Sequence, residues 1–504
     1  MCGIAAIRGR TAPDTVRTIL DQLDHRGPDG RGLHHLSSTG PATLGHTRLA
    51  IIDPAGGRQP LVDSASGTSV VCNGMLYNDH ALRAELSHHA YRTASDSESV
   101  LRGFLEWGTD VVRRLDGMFA FVLIGADGHA FAARDPLGIK PLYWGRVGDG
   151  LAFASEIKAL ARVTTDIHEF PSGCTWDSRN GLRRYYDVPE PAVTLTDERD
   201  AIDRVCHTLE AAVVKRLRSD VPLGAFLSGG LDSSVIAAIA RRHVDELHTF
   251  AVGLAGSSDL VAARRVARHL DTVHHEYVID PREVVEVLPG VLHHLESHDR
   301  DLVRSAVPSW FVARLAAERV KVVLTGEGAD ELFAGYRYHA GYTDDAALQA
   351  ETRRSLRSMH DINLQRVDRM TMAHGLEARV PFLDTTMLEL AMRIPAQLKR
   401  RAGAPDDGSK WVLRKAFESW LPAEIVWRDK LQFDEGSGFS DHLAEYAEVE
   451  ERAGRLPAHA RDGRTPEEAL YRRIQSEGLP HGSPVPGMTR HWSEDRVAGW
   501  EQVA

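Results

Sequence analysis

Cysteine is scarce in this chain. Four residues, Cys2, Cys72, Cys174 and Cys206, are spread over 504 positions, and none forms a CxxC pair. That spacing excludes a disulfide framework and a thiolate zinc site as organising devices, and it fits a reducing cytoplasm. Long hydrophobic runs are missing too. No stretch approaches the length of a membrane span, and residues 1–30 lack the basic start and apolar core of a signal peptide. Basic residues are not in excess: 60 Lys and Arg against 71 Asp and Glu leave a net charge of -11. That argues against a nucleic-acid partner, because phosphate binding needs a basic footprint. Histidines come in pairs (His34–His35, His88–His89, His274–His275, His293–His294), never at HExxH spacing, so they read as surface or hydrogen-bonded residues rather than metal ligands.

A hydrophobic content of 43% and a charged content of 26% are those of a soluble globular protein. The length allows two to four domains, each with its own core. Residues 1–185 read as short strands with tight turns. Met118–Ile124 is an apolar strand, Asp127–Gly128 a hairpin turn and His129–Ala133 the return. Val70–Cys72 reads as a short strand ending at Asn73–Gly74, and Ser97–Trp107 as a helix. This half is expected to be α+β with antiparallel sheets. Pro189, Pro191 and the polar stretch Thr194–Asp200 mark a boundary. Beyond it, strands Leu223–Leu227, Thr249–Leu254 and Lys321–Leu324 alternate with helical patterns, which predicts a doubly wound parallel sheet. Residues 340–475 read as mostly helical. The Gly- and Pro-rich stretch from Glu477 opens a loosely ordered tail. The expected units are therefore 2–186, 200–475 and a tail at 476–504.

Cys2 follows the initiator methionine, whose removal would expose an α-amine with a pKa near ~7.7–8. Such an amine can take the thiol proton and serve as general base for its own side chain. Met-Cys alone reads as incidental, but a series follows it: His25-Arg26-Gly27-Pro28-Asp29, Arg48 in His46-Thr47-Arg48-Leu49, Asn73-Gly74, Ser95-Asp96, and Arg134-Asp135-Pro136-Leu137-Gly138-Ile139-Lys140-Pro141-Leu142-Tyr143. The series resembles the class II glutamine amidotransferase domain, an αββα sandwich of antiparallel sheets. The resemblance implies that Cys2 attacks the glutamine amide and that Asn73 and Gly74 form the oxyanion hole. It also implies that Arg48 holds the donor α-carboxylate and that Asp96 holds its α-ammonium. One position departs: the family reads Asn-Gly-Glu where this chain has Asn73-Gly74-Met75. Losing that charged partner costs roughly 1.5–3 kcal/mol. Three readings stay open: weaker glutamine binding through Asp96 alone, a modified glutamine or other amide as donor, or dependence on free ammonia.

In the second half, Ser228-Gly229-Gly230-Leu231-Asp232-Ser233-Ser234 lies between an apolar strand and a helix. Its glycines turn backbone N–H groups toward one point at a helix N-terminus, which makes a pyrophosphate cradle. No Gly-Lys-[Ser/Thr] follows, so it is not a Walker loop. It resembles the PP-loop of ATP pyrophosphatases. Thr325-Gly326-Glu327-Gly328-Ala329-Asp330-Glu331 also follows a strand, at the end where such sheets bind ligands. Asp232 and Asp330 are hard oxygen ligands suited to Mg²⁺. Glu377-Ala378-Arg379-Val380-Pro381-Phe382-Leu383-Asp384 and Trp427-Arg428-Asp429-Lys430 come further on.

This half resembles glutamine-hydrolysing asparagine synthetase of the bacterial type and, more loosely, β-lactam synthetase. The two resemblances together span about residues 2–450. They imply an α/β PP-loop ATP pyrophosphatase domain with a helical carboxy-terminal part, and a carbon–nitrogen ligase with ATP as substrate and Mg²⁺. They place Leu227, Val252, Thr325 and Gly326 at the ATP, and Asp232 and Asp330 on Mg²⁺–pyrophosphate. Glu327 serves acyl-adenylate formation and Lys430 the charge on the transferring phosphoryl group. A homodimer is compatible with the family. A second departure falls in the acceptor site. Aspartate-specific members read Thr-Thr-x-Arg-Ala-Ser; here the chain reads Asp301-Leu302-Val303-Arg304-Ser305-Ala306. Arg304 is kept, both threonine hydroxyls are gone, and Asp301 adds a negative charge that a site for a dianion should not tolerate without a new partner. The acceptor carboxylate is therefore expected to differ from aspartate, with a genuine asparagine synthetase as the alternative. A PP-loop enzyme acting on tRNA and a non-catalytic protein of this fold are the readings from other classes. The acidic charge and the intact Cys2, Asp232, Glu327, Asp330 and Lys430 speak against them.

Overall fold

The computed structural model describes residues 1–36, 40–401, 403–404, 408–429, 440–456, 465–479, 483 and 485–490. The first half holds two six-stranded antiparallel sheets. One runs in the order Ile167–Glu169, Tyr143–Val147, Gly150–Ala154, Gly3–Arg8, Ala42–Arg48, Gly30–Leu36. The other runs Gly181–Arg184, Cys174–Asp177, Ala130–Arg134, Gly117–Ile124, Ser69–Leu76, Leu61–Val62. Strand periodicity explains how they stack. On Gly3–Arg8, Ile4 and Ala6 face the second sheet and pack with Val71, Ala120 and Val122. Ala5 and Ile7 face the other way and meet Val16, Ile19 and Leu20 of helix Pro13–Asp21. Gly117–Ile124 is apolar on both faces because Phe119, Phe121 and Leu123 pack outward against Val100 and Leu101 of helix Glu98–Trp107. The layers are thus helix, sheet, sheet, helix.

The second half carries a five-stranded parallel sheet, in the order Val273–Val278, His248–Gly253, Leu223–Phe226, Val322–Leu324, Glu377–Arg379. Helices Leu231–Arg241 and Ser258–Leu270 pack into one apolar cluster, helix Arg300–Ala317 into another. Leu223–Phe226 is followed outward on one side by His248–Gly253 and on the other by Val322–Leu324. The strand order reverses there, and ligands in such sheets bind at the carboxyl ends beside that point. Helices dominate from Asp345–Ser358 to Pro466–Glu477.

Four elements differ from the sequence reading. The strand expected to end at Asn73–Gly74 continues to Leu76 because its partner Gly117–Ile124 runs alongside to the end. Val273–Val278 and Glu377–Arg379 are strands that no apolar run announced. The first is a half-exposed edge strand with charged and histidine residues, and the second is three residues long. In the carboxy-terminal stretch, Val485–Met488 forms a turn whose Val485 is buried against the first domain, in the cluster that also holds Ile157 and Leu160.

Candidate functional site

The amino-terminal constellation converges. The Cys2 backbone N–H donates to Asn73 Oδ1 at 3.0 Å, which fixes the amide of a residue held in the middle of a strand. The other end of that amide, Nδ2, is buried and has no hydrogen-bond partner. A buried donor left without an acceptor is costly unless a ligand meets it. A ligand acceptor atom beside Cys2 would satisfy it. Gly74 is required by close packing: a Cβ there would lie 2.4 Å from the Met118 carbonyl oxygen on the neighbouring strand. Burial raises the Cys2 thiol pKa, opposed by the N-terminal ammonium. Met1 itself is buried, its ammonium 3.2 Å from Glu377 Oε2 of the second domain.

Arg48 is held by backbone oxygens, donating to the carbonyls of Pro54 at 3.0 Å and Asp53 at 2.6 Å. Asp96 is buried and accepts from the Leu76 N–H at 2.7 Å. Burial, with Asp79 and Glu377 nearby, pushes its pKa up to about 6. Met75 is 2% exposed and packs with Leu49, Ile51, Ile52 and Met118. Apolar core thus fills the position where the family motif has glutamate.

The PP-loop forms as its glycines predict. Gly229 has φ +75° and its α-carbon faces helix Ser258–Leu270 so closely that a Cβ would lie 2.4 Å from the Ala263 nitrogen. Gly230 then caps helix Leu231–Arg241. Ser233 Oγ accepts from the Ser228 N–H at 3.2 Å and closes the loop, while Ser234 Oγ is buried with no partner. Leu227, Ser228, Gly230, Asp232, Ser233, Val252, Thr325, Gly326, Glu327 and Asp330 all line one cavity of about 340 Å³; Gly229 and Ser234 lie behind its wall.

Lys410 is the residue the sequence reading missed. It is 2% exposed, in left-handed conformation at φ +54°, and its ammonium lies 2.6 Å from Asp232 Oδ2 and 2.7 Å from Asp330 Oδ1. Its only sequence signal was a lone lysine before the amphipathic helix Trp411–Ala416. The two carboxylates thus converge on one cationic point, and Asp232 Oδ1 is buried without a partner. Lys410 holds the point between the carboxylates, so a divalent cation would be met by the orphaned Asp232 Oδ1 rather than by the oxygens that the ammonium occupies. Glu327 is ion-paired with Arg366. Lys430 lies outside the described residues.

Asp301 and Leu302 line the same cavity, near the start of helix Arg300–Ala317, together with Ile362 and Val367. Leu302 is 2% exposed; Asp301 is on the rim, its carboxylate 2.8 Å from the Arg300 guanidinium. Arg304 does not line the cavity. Its guanidinium is held in a fork by Glu467, with distances of 2.8 and 2.5 Å. The expected acceptor-binding arginine is turned toward helix Pro466–Glu477, one helical turn on from Asp301.

A buried charge network joins the two sites. Arg26 donates to the Cys2 carbonyl at 3.1 Å, to Glu156 at 2.7 Å and to Asp368 at 2.8 Å. Arg369 reaches Glu156 at 2.9 Å and Glu296 at 2.8 Å, and Lys140 reaches Asp368 at 3.3 Å. Burial alone would raise the Asp368 pKa, but Arg26 and Lys140 outweigh it and hold the carboxyl below its ordinary range.

Comparison with known proteins agrees with this geometry. Residues 1–180 match a family model described as a glutamine amidotransferase domain, and residues 204–348 and 340–480 match one described as asparagine synthase. The fold and the matches together define a two-domain amidotransferase, an ammonia-releasing domain joined to an ATP-dependent synthetase. Among curated relatives, a glutamine-hydrolysing asparagine synthetase of Triphysaria versicolor is 38% identical, over 97% of this chain and 88% of its own length. Asparagine synthetase 3 of Arabidopsis thaliana is 40% identical over 89% and 81%, and a probable asparagine synthetase of Dictyostelium discoideum 36% identical over 98% and 96%. The chain belongs to the glutamine-hydrolysing asparagine synthetase family. It is an AMP-forming carbon–nitrogen ligase with glutamine as nitrogen donor and ATP as co-substrate.

Proposed function

We propose that Cys2 is the glutaminase nucleophile and that the synthetase half amidates a carboxylic acid other than aspartate through an acyl-adenylate. The buried, unpartnered Asn73 Nδ2 beside Cys2 supports the first half most directly. With Met1 removed, the Cys2 nitrogen is an amine that takes the thiol proton. The sulfur then bonds to the amide carbon, and the oxyanion is met by Asn73 Nδ2 and the Gly74 N–H. Collapse expels ammonia, which carries the proton away, and water hydrolyses the thioester to free glutamate. Arg48 and Asp96 hold the donor's two charged groups.

In the second site an acceptor carboxylate oxygen bonds to the α-phosphorus of ATP and pyrophosphate leaves. Ammonia then attacks the acyl carbon and AMP leaves. Leu227, Val252, Thr325 and Gly326 hold the nucleotide. Asp232 and Asp330 would hold Mg²⁺, which would supply neutralising charge to the pyrophosphate. Lys410, paired with both carboxylates, adds a positive group beside that site, and Glu327, oriented by Arg366, takes a proton from the attacking ammonia.

Leu302 and Asp301 support an acceptor other than aspartate. Where aspartate-specific relatives have hydroxyls, this cavity has an apolar wall at Leu302 and, on its rim, an Asp301 carboxylate shared with Arg300. The relatives' names favour the second reading, aspartate itself. Product mass spectrometry with ATP, amide-labelled glutamine and a panel of carboxylic acids including aspartate decides between them. The expected result is a labelled amide from a panel acid other than aspartate, with little from aspartate, and aspartate turnover that rises in Asp301→Thr/Leu302→Thr. Efficient wild-type aspartate turnover overturns the acceptor proposal. Glutamate release that persists in Cys2→Ala overturns the nucleophile.

A further inference from the structure

Two groups of side chains outside the reaction sites, among the described residues, bring three histidine or carboxylate ligand atoms within 4.8 Å of one another. The first, Glu169, His360 and Asp361, is already occupied by cations. Arg134 donates to Glu169 Oε1 at 2.6 Å, the same oxygen that His360 reaches at 2.9 Å. Burial alone would lower the His360 pKa, but Asp361 and Glu169 push it up to about 9. A charged imidazole is no ligand.

The second group has no such competing arginine among the described residues. His88 and His89 are consecutive residues in the turn after helix Asp79–Glu85. Consecutive side chains ordinarily diverge. Here the His89 N–H bonds back to the Leu86 carbonyl at 2.9 Å, and the curled chain sets the two rings side by side with centroids 4.5 Å apart. Both Nε2 atoms lie 3.0 Å from one oxygen, Glu106 Oε2, carried by helix Glu98–Trp107. With bonds of about 2.0–2.1 Å, ligand atoms around a tetrahedral Zn²⁺ stand roughly 3.3–3.4 Å apart. The two nitrogen–oxygen edges are therefore within a few tenths of an ångström of a metal polyhedron. No lysine or arginine among the described residues is ion-paired with Glu106. The site is open to water, with side-chain exposures of 58%, 21% and 39% for His88, His89 and Glu106, so a solvent ligand can complete the shell.

We propose that His88, His89 and Glu106 bind one divalent transition-metal ion of the Zn²⁺ class. Two imidazoles and a carboxylate are a known ligand set for that ion, and neutral imidazole suits it better than Mg²⁺ or Ca²⁺. The ion clips the turn at 86–89 to the far end of helix Glu98–Trp107. Between those points the chain carries Arg92 and Thr93, whose N–H groups bond to the Glu98 carboxylate, and then Ser95 and Asp96. The clip therefore braces the loop that carries Asp96 against the sheet.

The test uses the full chain in excess Mg²⁺, comparing wild type with the His88→Ala/His89→Ala double variant and with Glu106→Gln. All three positions are solvent-accessible, and circular dichroism checks the fold. Wild type should bind one Zn²⁺ more than the double variant by calorimetry. Its Co²⁺ form should show the intense absorption of tetrahedral cobalt. The double variant should lose both, and Glu106→Gln should bind about tenfold or more weakly. Zn²⁺ should also slow amide exchange across residues 86–97 in wild type and leave it unchanged in the double variant. Equal stoichiometry and affinity in wild type and double variant, a weak octahedral cobalt spectrum, or exchange unaffected by Zn²⁺ would each overturn the proposal.

Discussion

Asp96 offers the sharpest quantitative test of the donor site. It stands alone, since the position that supplies a second carboxylate in the family motif holds Met75, buried in apolar core. Burial pushes the Asp96 pKa up to about 6, whereas an unperturbed aspartate titrates near ~3.9. Only the ionised form attracts the donor's α-ammonium. Glutamine binding to the Cys2→Ala variant, in which thiol chemistry is absent, should therefore be flat from about pH 7 upward and weaken below about pH 6. At pH 5 roughly one site in eleven is ionised, so Kd should rise about tenfold; an aspartate of ordinary pKa would change it by less than about a tenth. Stability moves the opposite way. A carboxyl whose pKa is raised by folding favours the neutral form, so its contribution to stability is lost as pH rises from about 3.9 through about 6. Two units correspond to about 3 kcal/mol. Asp96→Asn should accordingly weaken glutamine binding about 10- to 100-fold while raising the Tm of the empty protein at neutral pH. Calorimetric titration and thermal unfolding across pH measure both. A Kd unchanged between pH 5 and 8, or a pH dependence that survives Asp96→Asn, refutes the reasoning.

Lys410→Gln removes the cation between Asp232 and Asp330. Pyrophosphate release should fall about 10²–10³-fold while glutaminase activity is kept, measured by parallel pyrophosphate and glutamate assays. Asp368→Asn leaves Arg26 and Lys140 facing a neutral amide in a buried site. A loss of about 3–5 kcal/mol is expected, read by thermal unfolding, together with reduced glutaminase activity because Arg26 also holds the Cys2 carbonyl.

Local chemistry was legible in the sequence because each motif is contiguous and its backbone does the work. The Ser228–Ser234 loop needs only its own glycines and the helix that follows. The stretch Arg134–Tyr143 wraps Asp135, which accepts from the N–H groups of Ile139 and Lys140. The alternation of strand and helix in the second half showed the parallel sheet for the same reason. Long-range pairing was not legible. Lys410 meets Asp232 across 178 positions, and nothing near either residue announces the other. Arg304 matched its motif, yet Glu467, 163 positions away, decides where its guanidinium points. His88 and His89 meet Glu106 only in the fold, since it sits on helix Glu98–Trp107, 17 positions beyond His89. The edge strand Val273–Val278 was missed because one of its faces is too wet to show an apolar pattern.

The same long-range pairing explains how two unlike domains hold two reaction sites in register. Helix Asn363–Met372 is ten residues long, and three of its charged side chains serve three different places. Arg366 pairs with Glu327 in the ligation cavity. Asp368 pairs with Arg26, which in turn grips the Cys2 carbonyl. Arg369 pairs with Glu156 of the first domain and Glu296 of the second. A buried ion pair is a poor source of stability, since desolvating both charges offsets most of their attraction. It is a strong source of specificity: any slip of the helix would strand a charge away from water, at a cost of several kcal/mol. An apolar interface of equal area would tolerate sliding. The charged one fixes the helix at three positions along its middle, so Cys2 and Glu327 are referenced to a single rigid element.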